Sequence, residues 1–242
     1  RSTWSTSVKV AADPEGTDSR PRVTGAVARD DAASTGQLSL FPGAPSTRTP
    51  NGAVAAFEGG PLDGAALPPN VLGGTSSWSC PGWRDLVYAG EHGASALART
   101  GLAAYASHPL LGAVGLDKTF YRPAPATEFA RLGAQVGAGF RFLVKAHRDC
   151  TTVFRRDPDD PRRVLRNQRF LSAEYATENV VGPAVEGLGA QLGVILFQFP
   201  PEGAFEGRGA PRLRERIATF LGALPRGVPY AFELRNREVL ST

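Results

Sequence analysis

Between Asn70 and Leu234, short apolar runs suited to strands alternate with longer amphipathic stretches suited to helices. That alternation is the strongest constraint on the fold, because strands separated by helices pair in parallel through crossover connections. The expected strands are Val71–Ser76, Ala113–Phe120, Phe140–Ala146, Val194–Phe199 and Pro229–Leu234. The expected helices are Ala94–Ser107, Ala126–Val136, Phe170–Gly187 with a break near Gly182-Pro183, and Pro211–Leu224. Leu97, Gly101, Ala104 and Tyr105 share a face of the first helix, and Phe129, Leu132 and Val136 a face of the second. Two α/β architectures accommodate this order: an open doubly wound sheet and a closed (β/α)8 barrel. The first strand reads LGGTS and runs into SWSCPGW, and neither G-x-G-x-x-G nor G-x-x-x-x-G-K-[ST] occurs. That counts against a dinucleotide or P-loop site.

Residues 1–69 break the pattern. They are rich in Ser, Thr, Pro, Gly and Ala, and no period of two or 3.6 persists. A low-complexity, disordered or loosely attached extension is expected there, with Leu38, Leu40, Phe41 and Phe57 as its only apolar cluster. Residues 70–242 form the expected barrel domain. The first residue is Arg1 and Met is absent from all 242 positions, which suggests a piece of a longer chain.

The net charge of +4 comes almost wholly from arginine, the lysines being Lys9, Lys118 and Lys145. So mild an excess is weak support for a nucleic-acid partner. The two cysteines, Cys80 and Cys150, lie too far apart for a C-x-x-C pair, so a reducing cytoplasm is the expected compartment. No apolar run is long enough to span a bilayer, and a soluble protein without a membrane partner is expected.

Each strand candidate begins apolar and ends polar. The third closes on Lys145 and His147, the fourth on Gln198, the fifth on Glu233, Arg235 and Asn236, and the second on Asp117, Lys118, Thr119 and Tyr121. With a period of two, Leu143 and Lys145 share one face, as do Val194, Leu196 and Gln198, and Ala231, Glu233 and Arg235. Phe142, Val144, Ile195, Phe197, Phe199, Phe232 and Leu234 take the opposite face, suited to helices. The polar residues then converge near one edge, with Gln198 beside Lys145 and Glu233. Each could also be an ordinary exposed strand end, and Lys145 with Glu233 could be a structural ion pair.

Five segments in this order carry a resemblance: GTSSWSCPGW, VGLDKTFYRP, FRFLVKAHRDCT, LGVILFQFPP and YAFELRN. Over Leu72 to Asn236 the chain resembles the DUF72 family, also called YecE-like. The resemblance implies a TIM-type barrel and no particular reaction. Such a barrel needs about three more strand–helix units, so this chain would carry the first five. Where the family often has Glu-x-Asn in its second strand, this sequence has Gly115 and Asp117.

Several chemistries suit these residue types. Glu233 is a candidate general acid or base, and Lys145 a candidate anion stabiliser, base or Schiff-base amine. Arg235 suits a phosphate or carboxylate. Gln198 and Asn236 suit hydroxyls or amides, and Tyr121, Trp78 and Trp83 offer flat faces. The assortment points to an enzyme acting on a polar or anionic small molecule. Asp117, His147 and Glu233 are metal-compatible types, but no metal motif is present and no metal is assigned. Cys80 and Cys150 read as small buried thiols. The glycine-rich segment PPEGAFEGRGAP with Arg208 reads as a surface loop or lid. The segment RRDPDDPRRVLRNQR offers a nucleic-acid alternative, but Asp157, Asp159 and Asp160 interrupt its arginines, so a solvated loop is expected. A non-catalytic scaffold is the third reading. Nothing in the sequence specifies a cofactor.

Overall fold

The computed structural model describes residues 53–58, 68, 70–160, 162–201 and 209–239. The expected extension therefore lies outside the described residues, apart from 53–58 and 68, and so do 202–208 of the glycine-rich segment.

Five parallel strands form the central sheet in the order β1-β2-β3-β6-β7. They are β1 (Gly74–Thr75), β2 (Ala113–Leu116), β3 (Arg141–Lys145), β6 (Leu192–Phe199) and β7 (Tyr230–Leu234). All five expected strands are present, and each pairs with its neighbour among them. Between β3 and β6 the chain adds an antiparallel hairpin, β4 (Phe154–Arg156) and β5 (Val164–Arg166). Among the described residues the sheet is open, with β1 and β7 at its edges. Barrel closure, which the resemblance implies, is not seen.

The two-residue period is borne out by burial in β2, β3 and β6, whereas all five residues of β7 are half-buried, Phe232 and Leu234 included. Val114, Leu116, Phe142, Val144, Ile195, Phe197 and Phe199 are at most 1% exposed, whereas Leu143, Lys145, Val194, Leu196 and Gln198 are half-buried. A register shift between Phe142 and Leu143 falls opposite Gly193, before the alternating run begins, so the phase from Val194 onward is preserved. On the buried face Phe197 meets Phe220 edge-on at 5.1 Å and stacks on Phe232 at 5.3 Å.

The helices are α1 (Ala94–Thr100), α2 (Leu102–Ala106), α3 (Lys118–Tyr121), α4 (Ala126–Gly133), α5 (Ala173–Ala176), α6 (Gly182–Leu188) and α7 (Gly209–Ala223). The expected first helix is interrupted at Gly101, although Leu97, Ala104 and Tyr105 are buried as their spacing requires. The third does not break at Gly182-Pro183. A π-helical stretch, Thr177–Val181, joins α5 to α6, and the Gly182 amide donates to the Thr177 carbonyl. Proline lacks an amide donor and crowds the carbonyl four residues back, and the wider turn accommodates it. Helices α4 and α6 approach closely at Gly187, where a Cβ would stand 2.3 Å from the Ala126 carbonyl oxygen.

The second strand is shorter than expected. It ends at Leu116, and Lys118–Tyr121 turns into α3. The buried Thr119 hydroxyl explains the turn: it lies 2.6 Å from the carbonyl oxygens of both Leu116 and Lys145, tying the ends of β2 and β3 together. Residues 53–58 were expected to be loose, yet the Phe57 amide donates to the Val87 carbonyl, the Ala89 amide donates to the Ala55 carbonyl, and Val54 is 8% exposed.

Candidate functional site

In a parallel sheet all strands end at one edge, and loops that follow them gather polar residues there. The last residue of β3 is Lys145, Asp117 directly follows β2, Gln198 is the penultimate residue of β6, and Glu233 the penultimate residue of β7. Gln198 and Glu233 are register partners. The Gln198 amide donates to Glu233 Oε1 at 3.0 Å, and Arg235 Nε donates to the same oxygen at 3.0 Å. Two donors thus orient one carboxylate oxygen, while Oε2 has no hydrogen-bond partner among the described residues. The Glu233 side chain is 41% exposed, so a ligand could reach it.

Lys145 pairs with Asp117 rather than with Glu233. Its Nζ lies 2.9 Å from Asp117 Oδ1, and it sits over the Phe120 ring at 5.7 Å. The alternative reading of Lys145 and Glu233 as a mutual ion pair gives way to two pairs, Lys145–Asp117 and Arg235–Glu233. Register explains this. Lys145 is opposite Leu196, two residues short of Gln198, which places it nearer the end of β2.

A second cluster stands just beyond β3. His147 is 8% exposed, and its Nδ1 is 2.8 Å from the Tyr175 hydroxyl. A hydrogen bond to the Tyr121 backbone engages the ring as well. That bond and the Asp149 charge favour the protonated ring, but burial outweighs them and holds the imidazole below its ordinary value. One hydrogen bond joins the Tyr175 hydroxyl to Nδ1, and the tautomer sets its direction. Asp149 accepts from Arg169 at 2.9 Å, and Arg169 covers the Tyr175 ring at 4.8 Å. Buried Asn167 donates to the carbonyls of Asp149 and Thr152, pinning the base of the β4–β5 hairpin.

The remaining candidates are dispersed. Trp78 is buried, and its indole N–H donates to the Leu97 carbonyl. Trp83 is half-buried and stacks on Tyr88 and Tyr105. Tyr121 is 69% exposed and stands edge-on to Phe120, the ring over which the Lys145 ammonium sits. Asn236 is buried, and its carbonyl accepts from the Val239 amide. Asp117, His147 and Glu233 do not converge, and no cluster of metal-ligating residues forms among the described residues. The Cys150 thiol is pushed up to about 12 by burial, which leaves it unreactive as a nucleophile.

Asp149, Asn167 and Tyr175 were not singled out from the sequence, Thr119 was read only as a polar strand end, and Arg169 only as part of a basic segment. Asp149 had a signal, since His147-Arg148-Asp149 follows a strand end directly. Arg169 and Tyr175 had none: they come from 20 and 28 residues along the chain, across a hairpin that the sequence pattern does not announce.

No curated protein matches. Two crystal structures of a DUF72 family protein from Enterococcus faecalis V583, at 3.10 and 2.52 Å resolution, are similar at 21% identity. The first covers 69% of this chain with a TM-score of 0.46, the second 58% with a TM-score of 0.37. This chain spans about half the length of those relatives, 52% and 49%. A family model described as "Protein of unknown function DUF72" matches residues 72–242, and the chain belongs to that family.

Proposed function

We propose that the carboxyl edge of the sheet binds a polar or anionic small molecule and performs acid–base chemistry on it, with Glu233 as the proton-exchanging group. One observation carries this reading: Glu233 Oε1 is held by Gln198 and Arg235 while Oε2 has no hydrogen-bond partner among the described residues. A carboxylate oriented through one oxygen presents the other in a defined direction to a ligand donor. Lys145 anchors an anionic group by exchanging its Asp117 partner for it, and Arg235 can clamp the same charge. The exposed Tyr121 ring, edge-on to Phe120, offers an apolar wall.

The sequential order of five parallel strands supports a TIM-type barrel, in which this edge is the mouth. Two cysteines without a disulfide support a reducing, cytoplasmic setting. Among the described residues no helix is long and apolar enough to cross a membrane.

A thermal-shift screen of the full chain with sugar phosphates, carboxylates and divalent metals tests the reading, because a ligand bound only by the folded state raises Tm. A small anion that raises Tm, with the rise abolished in both Glu233→Gln and Lys145→Ala, is the expected result. A rise that survives both substitutions would place the ligand elsewhere and overturn the assignment.

A further inference from the structure

The polar group beyond β3 joins separate elements through one imidazole. His147 leaves the end of β3, Tyr175 belongs to α5, and the Tyr121 backbone that bonds the ring closes α3. Asp149 and Arg169 complete the group. Asp149 Oδ2 accepts from Arg169 at 2.9 Å and stands 3.9 Å from His147 Nδ1. Arg169 in turn lies over the Tyr175 ring at 4.8 Å. Nδ1 therefore stands between two oxygens, the Tyr175 hydroxyl at 2.8 Å and the Asp149 carboxylate.

The neutral ring and the imidazolium choose differently between these oxygens. A neutral ring shares a hydrogen bond with the neutral hydroxyl and leaves Asp149 to Arg169. An imidazolium donates from both nitrogens. The carboxylate is the stronger acceptor for it, because charge-assisted hydrogen bonds are about twice as strong as neutral ones. The Tyr175 oxygen is the poorer acceptor, since the Arg169 guanidinium already covers its ring. Among the charged groups acting on the ring, Asp149 favours the proton, while Arg148 and Arg169 oppose it. Tyr175 and Cys150 are both kept neutral by burial and add no charge.

The backbone between Arg169 and Tyr175 is held under strain. Leu171 has a φ of +54°, in the left-handed region that a bulky side chain rarely enters. Its amide donates to the Cys150 carbonyl, and the Arg169 and Tyr175 contacts fix the chain on either side. Strain of this kind persists only where the surroundings over-determine it, so loss of one contact favours movement.

We propose that His147, Asp149, Arg169 and Tyr175 form a pH-operated latch, in which the neutral ring holds α5 through Tyr175 and the protonated ring transfers its Nδ1 bond to Asp149, competing with Arg169 and freeing α5. The latch stands two residues beyond Lys145, so its release loosens the loop that borders the carboxyl edge of the sheet. It does not rest on the Glu233 reading, because its residues and its readouts are separate from that site.

Nuclear magnetic resonance of the full chain from about pH 7.5 to about pH 4.5 tests the latch, since this range spans the ordinary imidazole titration. The His147 ring is assigned by its loss in His147→Gln. At the upper end a single neutral tautomer is expected. As the ring titrates, the Ala176 amide, which donates to the Ser172 carbonyl, should become less protected. Its exchange should quicken about tenfold beyond the intrinsic effect of pH, the consequence of about one lost hydrogen bond. Amides of β3 should keep their protection. Tyr175→Phe keeps the ring under Arg169 but removes the hydroxyl, and Asp149→Asn removes the charged acceptor. In each, the corrected Ala176 rate should no longer follow the titration of His147. A native chain in which that rate ignores the titration, or in which His147 stays neutral until global unfolding, would overturn the proposal. So would a native-like response in Tyr175→Phe. Should either variant fail to fold, the titration of the native chain still decides.

Discussion

Gln198 of β6 faces Glu233 of β7 across the sheet, and its amide donates to Glu233 Oε1 at 3.0 Å. A neutral amide near the end of an apolar strand is explained by this bond. It orients a carboxylate without neutralising it, as an arginine or lysine at the same position would. Gln198→Leu should therefore cost little stability, within about 1 kcal/mol, because Glu233 keeps Arg235 and remains partly solvated. The ligand-dependent rise in Tm should shrink all the same. A stability loss well above that figure in urea denaturation would show that the amide is chiefly structural.

Burial keeps His147 neutral and holds its imidazole below the ordinary value in the folded chain. The unfolded chain takes up a proton near pH 6.5 and the folded chain resists it. The His147 contribution is therefore fully present above about pH 6.5 and is lost as the pH falls below it, by at most about 1.4 kcal/mol per pH unit. Asp149 opposes this trend, while Arg148 and Arg169 reinforce it. Unfolding free energies between pH 7 and 5 should fall for the native chain and fall less steeply for His147→Gln. Equal slopes would mean that other groups govern the acid limb.

At Gly187 two opposing effects can be weighed. Alanine in a helix is worth about 1 kcal/mol over glycine. Yet a Cβ there would lie 2.3 Å from the Ala126 carbonyl oxygen and 2.5 Å from Phe129 Cβ, so α4 and α6 must separate. Overpacking of this kind costs about 1–3 kcal/mol, and both neighbours are anchored by the α4 backbone. Gly187→Ala should lower Tm, and an unchanged or raised Tm would show that the two helices slide apart freely.

The Thr119 hydroxyl is buried between two carbonyls. Thr119→Val keeps the shape and leaves both acceptors without that donor, a loss of about 1–3 kcal/mol. Thr119→Ser should recover most of it. If Thr119→Val is as stable as the native chain while Thr119→Ser is not, the methyl group rather than the hydroxyl ties β2 to β3.

The two thiols should differ sharply. Cys150 is fully buried and held protonated, whereas Cys80 is half-buried. A thiol reagent at mild alkaline pH should modify Cys80 alone in the folded protein and both cysteines in denaturant. Rapid native labelling of Cys150 would point to frequent local opening of the loop after β3.

Strand positions and faces were legible in the chain because burial on a sheet repeats every two residues. Phe142, Val144, Ile195, Phe197 and Phe199 announce the buried face, and Lys145, Gln198 and Glu233 then fall on the other. The convergence of polar residues at the carboxyl edge follows from parallel pairing alone. Pairing partners did not follow. Lys145 meets Asp117 rather than Glu233 because the β3–β6 register and the turn at Asp117 decide which ends are adjacent, and neither leaves a periodic trace. The His147–Tyr175 contact and the Asp149–Arg169 pair close across the hairpin, over separations at which side-chain identity says nothing about distance. The hairpin shows the division most clearly. Its sequence determines composition, arginines broken by aspartates, while only antiparallel register sends the acids to the turn and gathers Phe154, Arg156, Val164 and Arg166 on one exposed face. Local periodicity is a property of the chain, whereas adjacency is a property of its packing.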